Sequence, residues 1–209
     1  SFPGKNWDQE FKFIKDFKIN FIELILDENQ YSINPITNKD GVKKLNLFKK
    51  KNNISCESVC VDLFMKYPLH SYDESIIKKS SKILIWLIDI SQLLNIKNII
   101  IPCVDESSLK NEKEKICLVK NLSKILKYAD TKKVNICLET DLNPEEFKKL
   151  ILMFDSSSLK VNYDTGNSAS LGYKIDEEFD AYGEYIKDVH IKDRIYQSGP
   201  IFLGKGSFD

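Results

Sequence analysis

Residues 159–174 read LKVNYDTGNSASLGYK, and residues 186–194 read IKDVHIKDR. Each opens as an apolar, strand-like run and ends in a chemically useful side chain. Asp164 closes the first, and His190 sits near the close of the second. A third run, VNICLE at 134–139, lies just upstream and ends in Glu139. Asp164 follows Glu139 by 25 residues and His190 follows Asp164 by 26, one strand–helix unit each time. Two carboxylates and an imidazole at the ends of successive strands form a metal-site pattern. Two hard oxygens and one borderline nitrogen suit Mn, Co, Zn or Mg better than copper or an iron–sulfur centre. Singly, each residue has a plainer explanation. Asp164 can cap a following helix, and a lone strand histidine can be a packed core residue. The three together favour the metal.

Working outward, strand-like runs begin near residues 21, 54, 98, 134, 159 and 186, and each interval holds one helical pattern. Trp7, Phe11, Ile14 and Phe17 fall at helical spacing before FIELILD (21–27). Asp40 is placed to cap a helix carrying Val42, Leu45 and Phe48. A long apolar-faced helix is expected over 74–94 and another over 112–129. Asn143-Pro144-Glu145-Glu146 reads as a helix start: a cap, a proline at the first helical position, and two acids facing the helix dipole. A further helix is expected over 175–185, and the tail from Lys192 reads as irregular.

Regular strand–helix alternation with apolar strands implies an α/β protein with a parallel sheet and outer helices. A doubly wound dinucleotide fold would want a GxGxxG turn after an early strand, and none is present. A (β/α)-barrel of the TIM type puts its chemistry at the C-terminal strand ends, where Asp27, Asp62, Glu139, Asp164 and His190 fall. Residues 1–209 are therefore read as a single barrel domain with about six parallel strands. Such barrels have eight strands over about 250 residues. The reading thus expects an incomplete barrel, with the first and last strands outside this sequence.

The composition is ordinary for a globular protein, at 42% hydrophobic and 30% charged. Net charge is zero, which removes the usual electrostatic argument for a nucleic-acid partner. No signal peptide and no membrane-length apolar run is seen, so a cytoplasmic location is expected. The five cysteines form no CxxC pair and read as buried free thiols in a reducing compartment. The Cys56 and Cys60 spacing hints at a metal pair, but neither has a partner cluster in the sequence. His70, in the loop holding Pro68, is read as packing. Glu23 is an acid inside an apolar strand, and a rim or substrate-facing role would explain it. Lys192, Asp193 and Arg194 follow the sixth strand. Of 31 basic residues Arg194 is the one arginine, and its fork could grip an anionic or hydroxylated substrate.

The segments WDQEFKFIKDFKINFIELILDE, VNICLET, YDTGNSASLG, VHIKDR and PIFLGKGSFD, in that order, resemble the sugar-phosphate isomerase/epimerase family with the xylose-isomerase-like barrel. Within it the resemblance is to the L-ribulose-5-phosphate 3-epimerase and hexulose-6-phosphate isomerase group, and it covers nearly the whole chain. It implies a divalent metal held by Glu139, Asp164 and His190, with a fourth glutamate on a strand following a motif like LGKGSFD. It implies epimerisation or isomerisation of a ketose or ketose phosphate through an enediolate, with Glu139 also acting as acid/base. Glu23, Lys192 and Arg194 are the candidate substrate-binding residues. In the loop 62–69 the ribulose-phosphate epimerases carry a histidine and an arginine where this sequence has Phe64 and Met65. The partner implied is a small sugar, with no nucleic acid and no membrane; a homodimer is left open. Two other readings stay open: an endonuclease-IV-like phosphodiesterase on the same barrel, and a non-catalytic or truncated barrel.

Overall fold

The structure is a computed structural model and describes residues 3–208. In chain order its elements are α1 (Trp7–Asp16), β1 (Phe21–Ile25), α2 (Lys39–Asn52), β2 (Ser55–Cys60), α3 (Leu63–Lys66), α4 (Glu74–Leu94), β3 (Asn98–Cys103) and α5 (Glu112–Lys132). Then follow β4 (Asn135–Thr140), α6 (Pro144–Leu152), β5 (Leu159–Asp164), α7 (Thr165–Leu171), α8 (Ile175–Tyr182), β6 (Ile186–His190), β7 (Asp193–Arg194) and β8 (Pro200–Ile201).

Strands β1 to β6 pair in parallel and in sequence order, as a barrel requires and a doubly wound sheet does not. The sheet is curled far enough for side chains to meet across its concave face. Asn98 on β3 donates to Asp188 on β6 at 3.0 Å, and His190 on β6 meets Glu23 on β1 at 2.9 Å. The result is an incomplete barrel of six strands. No helix among the described residues is long and apolar enough to cross a membrane.

Side chains alternate between the two faces of each strand. Val59, Ile99, Ile101, Leu138 and Val161 point outward and share one core with Leu84, Leu87 and Ile88 of α4 and Leu118 and Leu122 of α5. Each such leucine contributes roughly 1.5–3 kcal/mol by leaving water. Inward, Cys60, Ile100 and Cys137 form a small apolar plug with Ile25. Below the plug lies an amide ladder, in which Asn135 donates to Asn98 at 2.9 Å and Asn98 donates on to Asp188.

Two register shifts alter the alternation. Between β1 and β2, Ile22 pairs Cys56 but Glu23 pairs Ser58, so Glu57 is an extra residue in β2. Between β5 and β6, Val161 pairs Ile186 but Asn162 pairs Asp188, so Lys187 is extra in β6. An extra residue exchanges the faces of everything after it. Cys56 therefore joins the outer core, while Cys60 faces inward. Ile186 packs outward, while His190 turns in.

Some sequence expectations change. The cap of α2 is Asn38, whose side chain accepts from Gly41 N, and not Asp40. Asp40 lies inside the helix, where it adds a negative charge to the first turn. Helix α3 lies in the stretch read as loop, α7 follows directly on the Asp164 cap, and β7 and β8 form a small antiparallel hairpin in the tail. Helix α7 (TGNSASL) is short and mostly of small or polar residues, so it has no apolar stripe to read; its Asp164 cap and tertiary bonds hold it.

The tail is organised by one carboxylate. Asp193 Oδ2 accepts from Gly204 N (2.9 Å) and Gly206 N (2.8 Å), and Oδ1 accepts from Phe208 N (3.3 Å). A Cβ at position 206 would stand 2.0 Å from Asp193 Oδ1, and Gly204 has φ +77°, so both glycines are demanded. These amides, Gly206 first, hold the Asp193 carboxyl below its ordinary value. A lowered carboxyl stabilises above its unfolded pKa and loses that contribution as pH falls through the folded value. Asp193→Asn is therefore expected to speed hydrogen exchange at Gly204 and Gly206 at neutral pH and to abolish the acid sensitivity of that exchange. Unchanged exchange would mean the turn holds itself.

Candidate functional site

Glu139, Asp164 and His190 end three adjacent strands, and their ligand-type atoms lie within 4.8 Å of one another. His190 Nδ1 is 3.4 Å from Glu139 Oε2 and 3.8 Å from Asp164 Oδ2. Both carboxylates are only 4% exposed. Buried acids in this number need cations or donors, because water is not there to solvate them.

The donors come from two asparagines that sequence reading passed over. Asn162 Nδ2 donates to Glu139 Oε2 at 2.7 Å and lies 3.1 Å from His190 Nδ1. Asn167 Nδ2 donates to Glu139 Oε1 at 2.8 Å. Both were within reach of simple spacing. Asn162 shares a face with Asp164 two residues later on β5. Asn167 stands three residues beyond Asp164, within the first turn of α7.

The run 164–167, Asp-Thr-Gly-Asn, uses every residue. Asp164 does both things expected of it: Oδ1 caps α7 by accepting from Asn167 N at 2.9 Å, while Oδ2 faces the cluster. Thr165 Oγ1 donates to Lys192 O (2.5 Å) and accepts from Lys192 N (2.9 Å), which staples α7 to the segment after β6. A Cβ at Gly166 would meet Lys192 Cβ at 2.9 Å and Arg194 Cγ at 3.2 Å, so only glycine admits that segment. Asn167 then accepts from Arg194 Nη1 at 3.0 Å through its carbonyl oxygen.

Lys192 reaches the cluster directly, with Nζ 2.7 Å from Asp164 Oδ2. Burial lowers its pKa, but the bond to Asp164 prevails and the net direction is up. Arg194 touches no carboxylate of the cluster and acts through Asn167. Glu23 stands on the other side of the imidazole, 2.9 Å from Nε2, and its second oxygen accepts from Ser58 Oγ at 2.6 Å. Buried His70 does not join these groups, and its Nδ1 has no partner among the described residues.

Above the cluster opens a cleft of about 420 Å³, lined by Cys60, Asp62, Glu139, His190, Lys192 and Arg194 among others. A second hollow of about 370 Å³ adjoins it and shares Val104, Asp105, Asn167 and Arg194. The donor set fits a divalent ion. Two carboxylates and an imidazole nitrogen converge, and the ring's other nitrogen is oriented by a carboxylate, the usual support for a ligating histidine. Asn162 Oδ1 beside them is buried with no partner among the described residues, so the described residues leave one polar atom of the pocket unsatisfied.

Comparison with known proteins places this geometry in context. A family model described as "Xylose isomerase-like TIM barrel" matches residues 11–209. A Haemophilus influenzae protein bearing the name L-ribulose-5-phosphate 3-epimerase is 24% identical over 203 residues, covering 90% of this chain and 68% of that protein. D-psicose 3-epimerase from Clostridium cellulolyticum, solved with D-tagatose, superposes with a TM-score of 0.75 at 16% identity, over 97% of this chain and 72% of its own. A xylose isomerase-like barrel from Mycobacterium smegmatis, solved with magnesium, gives 0.74 at 13% identity, over 96% and 74%. At these identities the structural likenesses establish the fold.

In the metal-free chain His190 is the counter-ion of the cluster. Burial alone would push its pKa down, but the bonds to Glu139 and Glu23 prevail and raise it to about 10. A raised histidine stabilises fully below its unfolded value near 6.5 and loses that contribution as pH climbs through the folded value. Denaturant unfolding of metal-free protein should accordingly show stability falling between about pH 6.5 and 10. His190→Gln should flatten that limb; an equally steep limb in the variant would assign it to other groups.

Proposed function

The chain belongs to the xylose isomerase-like TIM barrel family, and from that premise we propose that it is a divalent-metal-dependent isomerase that epimerises or isomerises a ketose or ketose phosphate. The observation that carries this reading is the convergence of Glu139, Asp164 and His190 at adjacent strand ends, at the floor of a cleft of sugar size. The names of the relatives, which are 3-epimerases of ketoses and of a ketose phosphate, point the same way.

Glu139, Asp164 and His190 would hold the ion, with His190 ligating through Nδ1 and keeping its proton on Nε2 toward Glu23. The ion would draw electron density from the sugar carbonyl and so acidify the neighbouring C–H. Glu139 is the residue to take that proton. Asn162 and Asn167 fix its two oxygens and so fix the direction of approach. For the epimer, a second acid on the opposite face, the fourth glutamate that the resemblance implies, would return a proton to the same carbon; for the aldose–ketose isomer, Glu139 would return it to the former carbonyl carbon while the hydroxyl proton passes to the former carbonyl oxygen. The reaction is redox-neutral either way.

Lys192 holds its ammonium 2.7 Å from Asp164 Oδ2 and lines the cleft, where it would also meet a sugar oxygen. Arg194 is held by Asn167 and by the Ser198 carbonyl (Nε to O 3.1 Å), with the rest of its fork available at the boundary of the two hollows. Glu23, expected from sequence to face substrate, is assigned instead to orienting His190, because Nε2 lies between Glu23 and the ligating face.

The test uses purified protein assayed with ketopentoses and ketohexoses, free and phosphorylated, after loading with Mn, Co, Zn or Mg. His190→Ala should lose bound metal and turnover together. Glu139→Gln should lose turnover by on the order of 10²–10⁴-fold, the range for removal of an acid/base group. If His190→Ala kept its metal by elemental analysis and turned over sugar normally, the histidine would be a core residue and the reading would fall.

A further inference from the structure

The imidazole of His190 has two faces, and the second is also lined with donors. Glu23, Cys60 and His190 bring a carboxylate oxygen, a sulfur and a ring nitrogen within 4.8 Å of one another. They come from β1, β2 and β6, and the register shift at Glu57 is what turns Cys60 to this side. Cys60 is 8% exposed and has no part in the chemistry assigned to Glu139. We propose that Glu23, Cys60 and His190 form a second cation site, selective for a thiophilic divalent ion such as zinc or cadmium, which competes with Glu139 and Asp164 for the single imidazole.

The chemistry of the donors sets the selectivity. Carboxylate, thiolate and imidazole together are a zinc-type set, whereas Mg and Mn avoid sulfur. The supporting contacts are in place. Ser58 Oγ donates to Glu23 Oε2 at 2.6 Å, and Cys60 Sγ donates to Asp62 Oδ1 at 3.4 Å, which leaves a further carboxylate one step away. Entry is open from both sides. Cys60 and His190 line the upper cleft, while Glu23 and His190 line a hollow of about 540 Å³ on the other side. On binding, the Cys60 proton and any proton on Nε2 pass to solvent, and no electron is transferred.

Competition follows from valence. A neutral imidazole has one lone pair. With its proton on Nε2, toward Glu23, it offers Nδ1 to Glu139 and Asp164; with the proton on Nδ1 it offers Nε2 to Glu23 and Cys60. Occupancy of either site thus withdraws a ligand from the other. This competitive part rests on His190 serving the first site, and the thiolate ligand does not.

The experiment is a cadmium titration of metal-stripped full chain, followed by sulfur-to-cadmium charge-transfer absorption and by elemental analysis. Wild type should develop the thiolate band with one cadmium bound per chain, and saturating manganese should raise the cadmium needed at least tenfold. Cys60→Ser should abolish the band and leave manganese binding intact. Asp164→Asn should weaken manganese binding and keep the band, and Glu23→Gln should weaken cadmium binding by roughly 10–100-fold. Absence of the band in wild type, or its survival in Cys60→Ser, would overturn the site. Manganese and cadmium bound together with no mutual effect would overturn the competition. A Cys60-dependent band in a protein that binds no manganese would support the second site while removing the metal from the proposed function.

Discussion

The contact between His190 and Glu23 is the one on which the interior depends. It joins β6 to β1, the two edges of the six-stranded sheet, across the concave face. It also brings a positive group into a region that holds Glu139 and Asp164 with little solvent. Without a cation between them these carboxylates would oppose one another and the curl of the sheet. The imidazole answers both demands: it neutralises the centre and spans it. A metal would replace the neutralising part and leave the spanning part to Glu23.

Around that centre the polar groups are tiered. Below, Asn135, Asn98 and Asp188 are joined by amide hydrogen bonds beside the lower hollow. Ile25, Cys60, Ile100 and Cys137 form a thin apolar layer above them. Burial holds the thiols protonated, Cys60 among them. The acids, the imidazole and the two orienting asparagines stand at the rim. This order buries the carboxylates of Glu139 and Asp164 while leaving the upper cleft open, so charge interactions among them are strong and a sugar can still enter.

The segment after β6 is built onto the site from outside. Thr165 and Gly166 accept the backbone of Lys192 and the stem of Arg194, and Asp193 gathers the following turn onto its carboxylate. One short helix therefore sets three side chains at once: Asp164 by capping, Asn167 by helical position, and Lys192 by the staple. The same helix is held from behind by buried Glu178, which accepts from Tyr163 OH at 2.9 Å, from Tyr182 OH at 2.8 Å and from Ser168 Oγ. Precision at the rim is thus drawn from hydrogen bonds rather than from apolar packing.

Much of this was legible in the chain alone. The period of the apolar runs determined six strands with helices between them, because buried parallel strands read as continuous apolar blocks. The recurrence of Glu139, Asp164 and His190 at one strand–helix interval determined which side chains share a rim. Asn143-Pro144 marked its helix correctly, and 74–94 was read to the residue. Tertiary structure decided the rest. Helix α7 has no apolar stripe, so beyond its Asp164 cap the bonds to Lys192 and Glu178 hold it and bring Asn167 to Glu139. Above all, the facing of Cys60 and His190 could not be counted from the sequence. By simple alternation Cys56 and Cys60 share a face, and so do Ile186 and His190. One extra residue in each strand, Glu57 and Lys187, reverses that. A bulge is chosen by what the neighbouring strand and the core accept, and that information lies in residues far away along the chain.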